Sequence, residues 1–340
     1  MAQTLIPTLI FTFSIFTHTI PHLWTNKNDL NIHSLANESG PFIPTLQGIE
    51  STPKNFNKSI DSSRKSQKSA NTVSNAKLER LSEALFSKDV HNAWGYIKIN
   101  LQNQTTRNSP VDRAPEPLLT VNPEAFKIPT INCILQMYDN YHLDTRKTEE
   151  TTPVHKEEQD RLLDAFLGTN VMATAMKFLS DNNYLPRNES NYRATLITLW
   201  FSPYRRGEGK TSSSGFEHVF LNELRKGRHV LGLHNWIYFN AVESKRQANY
   251  LGYLRKIDLG DKAAVLAFHF TFNSHDKPIT SMFVGTSPEL EMALYTVCFY
   301  VRRGKKCKLS LGGSKFRIIT HELTYKGKNL PVIGSAFPLM

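Results

Sequence analysis

The sequence predicts an α+β chain, with a helix-rich N-terminal lobe followed by an antiparallel β-sheet lobe. Three observations carry this. Apolar residues recur at helical spacing between about residue 77 and residue 180. Short runs of β-branched and aromatic residues dominate after His229. Between those runs lies a single strongly marked helix start, Ser287 followed by Pro288.

Residues 4–16 are apolar enough for the core of an export signal but too short to span a bilayer as a helix. Residues 1–23 are therefore expected to be a signal peptide, with secretion as the location and no membrane anchor. An intracellular location is the alternative, because no Lys or Arg precedes the run, Pro7 interrupts it and no small-x-small cleavage site stands out. Sequons beginning at Asn37, Asn57, Asn103 and Asn188 suit the secretory route. Residues 24–75, rich in Ser, Asn and Lys, offer few large apolar residues in periodic order, and read as a disordered linker that cannot offset its chain entropy.

From residue 76 to residue 340 the pattern is that of one folded domain. Leu78, Leu81, Leu85 and Phe86 share a helical face, and residues 161–167 and 171–179 form a helical pair. Strands are expected at 229–233, 262–272, 281–284, 307–311, 316–322 and 332–337. In the helix opened by Ser287, the residues Leu290, Ala293, Leu294, Val297 and Cys298 make the expected buried stripe.

At 340 residues and 40% hydrophobic content the chain can bury an ample core. Its formal charge of +11 favours an anionic partner. Two basic clusters, Arg302 to Lys308 and Arg205, Arg206 with Lys210, could meet phosphate or form solvated turns. Three cysteines exclude a disulfide scaffold. Cys298 and Cys307 could pair across a turn in an exported chain, but the favoured reading makes Cys298 a buried small hydrophobe on the helix.

The chemistry concentrates in Ser213-Ser-Gly-Phe-Glu-His218, in Gly232-Leu-His-Asn-Trp236 and at Lys277. Two imidazoles and an ammonium suffice to cleave RNA through its own 2′-hydroxyl. One imidazole takes the hydroxyl proton and the other protonates the leaving 5′-oxygen, while the ammonium offsets charge on the phosphorane. A metal-hydrolase reading, with His218, His234 and a carboxylate as ligands, lacks the spacing that puts two imidazoles on one helical face.

These strings, with Lys277 to Phe299, Leu199 to Arg206, Cys307 to Gly313 and Ile333 to Pro338, resemble the EndoU family of poly(U)-specific endoribonucleases over roughly residues 76–340. The resemblance implies an EndoU-like fold and cleavage of single-stranded, U-containing RNA to 2′,3′-cyclic phosphate and 5′-hydroxyl ends. It names His218, His234 and Lys277 as catalytic, and Ser281, Ser335 and Phe337 as substrate-binding. Glu217 and Glu223 would support the site or hold a stimulatory Mn2+. On an extended segment, Glu217 and His218 would point to opposite sides. The family commonly has Tyr where this chain has Phe337, so one hydrogen bond to substrate is lost while the ring remains. DNA is not an expected partner, and a monomer is expected. The alternative is a catalytically inactive RNA-binding protein of the same fold.

Overall fold

The computed structural model describes residues 73–206, 210–324 and 330–340. The readings of residues 1–23 as a signal and of 24–72 as a linker lie outside the described residues. Residues 73–75, assigned from the sequence to the linker, belong to the fold. Val73 is buried, Ser74 caps the first helix, and that helix begins at Asn75.

The helical lobe consists of α1 (Asn75–Ser87), α2 (Pro129–Leu135), α3 (Pro153–Leu167), α4 (Asn170–Asp181) and α5 (Glu189–Leu196), the last running into a π-helical turn at Ile197–Phe201. Thr152 and Thr169 cap α3 and α4 through their side-chain oxygens. Their apolar faces, such as Leu162, Leu163 and Phe166 on α3, join the core.

In the second lobe a short helix, α6 (Gly215–Phe220), precedes the hairpin β5 (Asn222–Arg225) and β6 (His229–Gly232), then α7 (Trp236–Ser244). Two small strands, β3 (Tyr204–Arg205) and β4 (Thr211–Ser213), lead into it, as β1 (Ile97–Ile99) and β2 (Leu119–Val121) do earlier. One antiparallel sheet holds β7 (Ala248–Leu259), β8 (Ala263–Phe272) and β9 (His275–Val284). A second holds β10 (Cys307–Leu311), β11 (Ser314–Thr324) and β12 (Pro331–Leu339).

Strand β7 escaped the sequence reading for a physical reason. Two register shifts, at Tyr250/Gly252 and Tyr253/Arg255, break the alternation of inward and outward residues on which such readings depend. Strand β9 likewise begins earlier than its apolar run, so Lys277 lies on a strand rather than before one.

Between the two sheets' connections runs α8 (Pro288–Arg302), capped by Ser287 as expected. More than a stripe is buried here, because every residue from Pro288 to Phe299 is enclosed. The helix packs on α4 at one side and on β11 at another, so no face of its first three turns meets solvent. Cys298 on α8 and Cys307 on β10 form a disulfide with a Cα–Cα distance of 5.7 Å, which overturns the reading of Cys298 as a lone hydrophobe. Cys133 is free.

Candidate active site

Glu217 and His218 sit on α6 rather than on an extended segment. Ser214 starts this helix by accepting a hydrogen bond from the Glu217 amide. Gly215 lets it lie against β12, since a Cβ there would stand 2.6 Å from the Ile333 carbonyl oxygen. Gly232, at φ +71°, is needed more sharply, because a Cβ would come within 2.0 Å of the His218 carbonyl oxygen. That close approach brings the chain after β6 back across α6, and the His234 amide donates to the Val219 carbonyl at 3.0 Å. The two histidines, remote in sequence, end with ring centroids 5.9 Å apart.

Each imidazole is held by one nitrogen. His218 Nδ1 lies 2.7 Å from Glu223 Oε2 on β5. His234 Nδ1 donates to the Ser281 carbonyl at 2.9 Å, and this fixes the tautomer because a carbonyl can only accept. In both rings Nε2 has no hydrogen-bond partner among the described residues. Burial pushes both imidazoles well below their ordinary value, and the Lys277 ammonium adds to this at each ring.

Behind His218 stands Arg206, whose Nε lies 2.8 Å from Glu223 Oε2. The same guanidinium donates to the Tyr204 hydroxyl at 2.6 Å, to Ser213 Oγ at 3.1 Å and to the Gly334 carbonyl at 2.5 Å. Arg206 is therefore committed inward, and its part of the basic cluster read from the sequence does not meet solvent-borne phosphate. No periodicity marks such a residue. Its only sequence signal is the Tyr204-Arg-Arg run ahead of the first catalytic string.

His234 opens α7 together with its neighbours. Asn235 caps the helix by accepting from the Ile237 and Tyr238 amides and donates to Glu291 Oε2 at 3.1 Å. Trp236 donates its indole N–H to the Thr286 carbonyl at 2.9 Å. Phe337 stacks on the His234 ring at 4.8 Å and 20°, so this family departure packs against a candidate catalytic group. Ser335, two residues earlier on β12, faces His321 across the β11–β12 pair. Lys277 Nζ donates to the Val230 carbonyl at 3.1 Å, and burial lowers its ammonium to about 8. Thus His218, His234, Lys277, Ser281, Ser335 and Phe337 line one place where β6, β9 and β12 meet.

The Ser281 hydroxyl is already engaged within the protein. It donates to the Pro338 carbonyl at 2.6 Å, which leaves only its lone pairs for a ligand.

Glu217 is fully buried, and neither carboxylate oxygen makes a well-formed hydrogen bond, the Ser214 backbone amide being no more than a weak donor to it. Burial, reinforced by the nearby Glu223 charge, pushes its carboxyl well above the usual range. Burial raises Glu223 as well, and Arg206 opposes it. These two carboxylates do not suit the expected Mn2+. The one oxygen of Glu223 that is engaged already faces a guanidinium, and a neutral Glu217 is a weak ligand. Among the described residues no three His, Cys, Asp or Glu side chains group closely enough to hold an ion.

The family model for endoribonuclease XendoU matches residues 77–338. The uridylate-specific endoribonuclease EndoU of Drosophila melanogaster is 37% identical over 263 residues, covering 76% of this chain and 81% of that protein. The uridylate-specific endoribonuclease of Bos taurus is also 37% identical, with 74% of this chain matched to 62% of the bovine one. A solved structure described as "XendoU: a splicing independent snoRNA processing endoribonuclease" superposes with a TM-score of 0.65 at 29% identity, covering 77% of this chain and 96% of that one.

Proposed function

The chain belongs to the XendoU family of endoribonucleases, and from that premise we propose that it cleaves single-stranded RNA at uridylates by attack of the substrate's own 2′-hydroxyl. The observation that carries this reading is the pair of facing imidazoles, each anchored through Nδ1 with Nε2 open. Two proton carriers on either side of one phosphorus are what in-line transesterification requires.

His218 takes the 2′-hydroxyl proton, since the adjacent Glu223 carboxylate stabilises the imidazolium that forms. His234, backed only by a carbonyl, delivers a proton to the 5′-oxygen and holds it less firmly. Lys277 offsets the negative charge that grows on the non-bridging oxygens. The O2′–P bond forms as the P–O5′ bond breaks, giving a 2′,3′-cyclic phosphate and a 5′-hydroxyl end.

Uridine selection rests on Ser281. With its proton committed to Pro338, the hydroxyl can accept from uracil N3–H but cannot donate to the bare N3 of cytosine. The face of Phe337 turned away from His234 supplies stacking. Mn2+ stimulation, implied by the family resemblance, is assigned to the RNA phosphates rather than to Glu217 and Glu223. An export route is supported by the Cys298–Cys307 disulfide, a bond that persists in oxidising compartments. No helix among the described residues is long and apolar enough to cross a membrane.

The test is incubation with an oligonucleotide containing one uridine, with and without Mn2+, and analysis of the product ends. Cyclic-phosphate and 5′-hydroxyl ends at the uridine are expected. Binding without shortened products would favour the inactive RNA-binding alternative.

A further inference from the structure

Along β12 the outward face continues past the candidate site. Alternation puts Ser335, Phe337 and Leu339 on that face, and their β11 partners across the sheet are His321, Ile319 and Arg317. Arg317 in turn pairs with Lys308 on β10. Leu339 lies about 7 Å beyond Phe337 along the strand, at the rise of an extended chain.

There the face opens into a cavity of about 300 Å3. Four basic side chains line it, Arg255, Lys308, Lys315 and Arg317, over an apolar floor that includes Ile257 and Leu339. Its one acidic wall residue, Glu79, is engaged by Lys315 at 3.2 Å. Arg255, Lys308 and Arg317 have no carboxylate partner among the described residues. Cations gathered without counter-charges repel one another, and a polyanion relieves that cost.

We propose that this cavity is a second RNA subsite, holding the backbone phosphates of nucleotides next to the uridine seated at Phe337 and Ser335. The order along the face is an aromatic stacking platform followed by cations, the combination that tracks a single strand without reading its sequence. An acidic protein surface would match the cations but not their continuity with the ring that stacks on His234. The subsite rests on the proposed function, because only a substrate seated at Phe337 brings its neighbouring phosphates here.

The test compares two substrates, the dinucleotide UpA and an oligoadenylate with one central uridine, in the wild-type protein and in the double variant Lys308→Ala, Arg317→Ala. Both residues are surface-accessible and outside the catalytic set. The variant is expected to raise KM for the long substrate about tenfold, to leave kcat unchanged, and to leave UpA cleavage as in wild type. Loss of two phosphate contacts should also flatten the slope of log KM against log salt by about 1.4. The charge-keeping variant Lys308→Arg, Arg317→Lys should restore the long-substrate KM. If the wild type cleaves both substrates and the alanine variant keeps its long-substrate KM, the subsite is overturned while the cleavage reading stands. Equal losses on both substrates also overturn it, since the effect then acts through the catalytic centre. No cleavage of either substrate by the wild type would remove the reading on which the subsite rests.

Discussion

Helices α6 and α8 open with the same local device and use it to opposite ends. Each is capped by a serine, Ser214 or Ser287, and in its first turn α6 buries one glutamate and α8 two. On α8, Glu291 receives hydrogen bonds from Thr286 at 2.8 Å and Asn235 at 3.1 Å, and Glu289 meets His91 at 2.7 Å. A single oxygen of Glu289 goes without a well-formed hydrogen bond, whereas on α6 both oxygens of Glu217 do. A satisfied buried carboxylate stiffens a frame. An unsatisfied one costs stability, and its neighbourhood is where function is expected to maintain it. The two regions are also joined, since Asn235, which ties Glu291, directly follows His234.

The contrast is strongest in the catalytic groups themselves. His218→Ala and His234→Ala are each expected to slow single-turnover cleavage by about a hundredfold or more, with RNA binding by anisotropy retained. Lys277→Ala should behave similarly. Near-normal turnover in any of the three removes that residue from the mechanism.

Stability should separate the two helices in the other direction. Glu291→Ala strands the Asn235 amide and the Thr286 hydroxyl in the interior, and a loss of about 2–4 kcal/mol in denaturant unfolding is expected. Glu217→Met removes an unsatisfied group, so stability should hold or rise by about 1 kcal/mol while cleavage falls roughly tenfold. Equal destabilisation by the two changes would dissolve the distinction.

The pH profile sharpens it further. Lys277 must be charged to act, and its ammonium is lowered to about 8, so kcat/KM should fall as pH rises through about 8. Both histidines are depressed, and since His218 must be free of its proton while His234 must carry one, the acid limb should lie low and a first decline, from His234, should set in below pH 6.5, ahead of the Lys277 limb. Lys277→Arg keeps its charge and should move the alkaline limb upward.

Smaller effects belong to the base pocket. Phe337→Ala should weaken uridine cleavage by about 1–3 kcal/mol of lost stacking, with Phe337→Tyr at or above wild type. Ser281→Ala should lower the uridine-to-cytidine ratio in matched oligonucleotides, since it removes the acceptor for N3–H. An unchanged ratio places base selection elsewhere.

Much of this was legible before the fold. The Ser287 cap, the strands with continuous apolar and aromatic runs such as residues 263–272, and the three catalytic strings are local patterns, and local patterns survive in one dimension. Arg206 was not legible, because its function depends on Glu223, Tyr204 and Gly334 converging from separate elements. Nor was the helical state of Glu217 and His218, which a six-residue segment adopts through its Ser214 cap and its packing under Ile333. Strand β7 was hidden by its bulges, and the Cys298–Cys307 pair by a turn whose geometry composition does not encode. The lesson matches the contrast between α6 and α8, since what a buried charge does is decided by its partners, and partners are set by tertiary structure.

The most direct measurement replaces ribose by deoxyribose at the single uridine of a short substrate, leaving the base and phosphates intact. If α6 and the turn after β6 hold two proton carriers for attack by the 2′-hydroxyl, cleavage at that uridine should vanish while the oligonucleotide still binds and competes. Continued cutting, with a 5′-phosphate on the product, would mean that water is the nucleophile and would contradict the account.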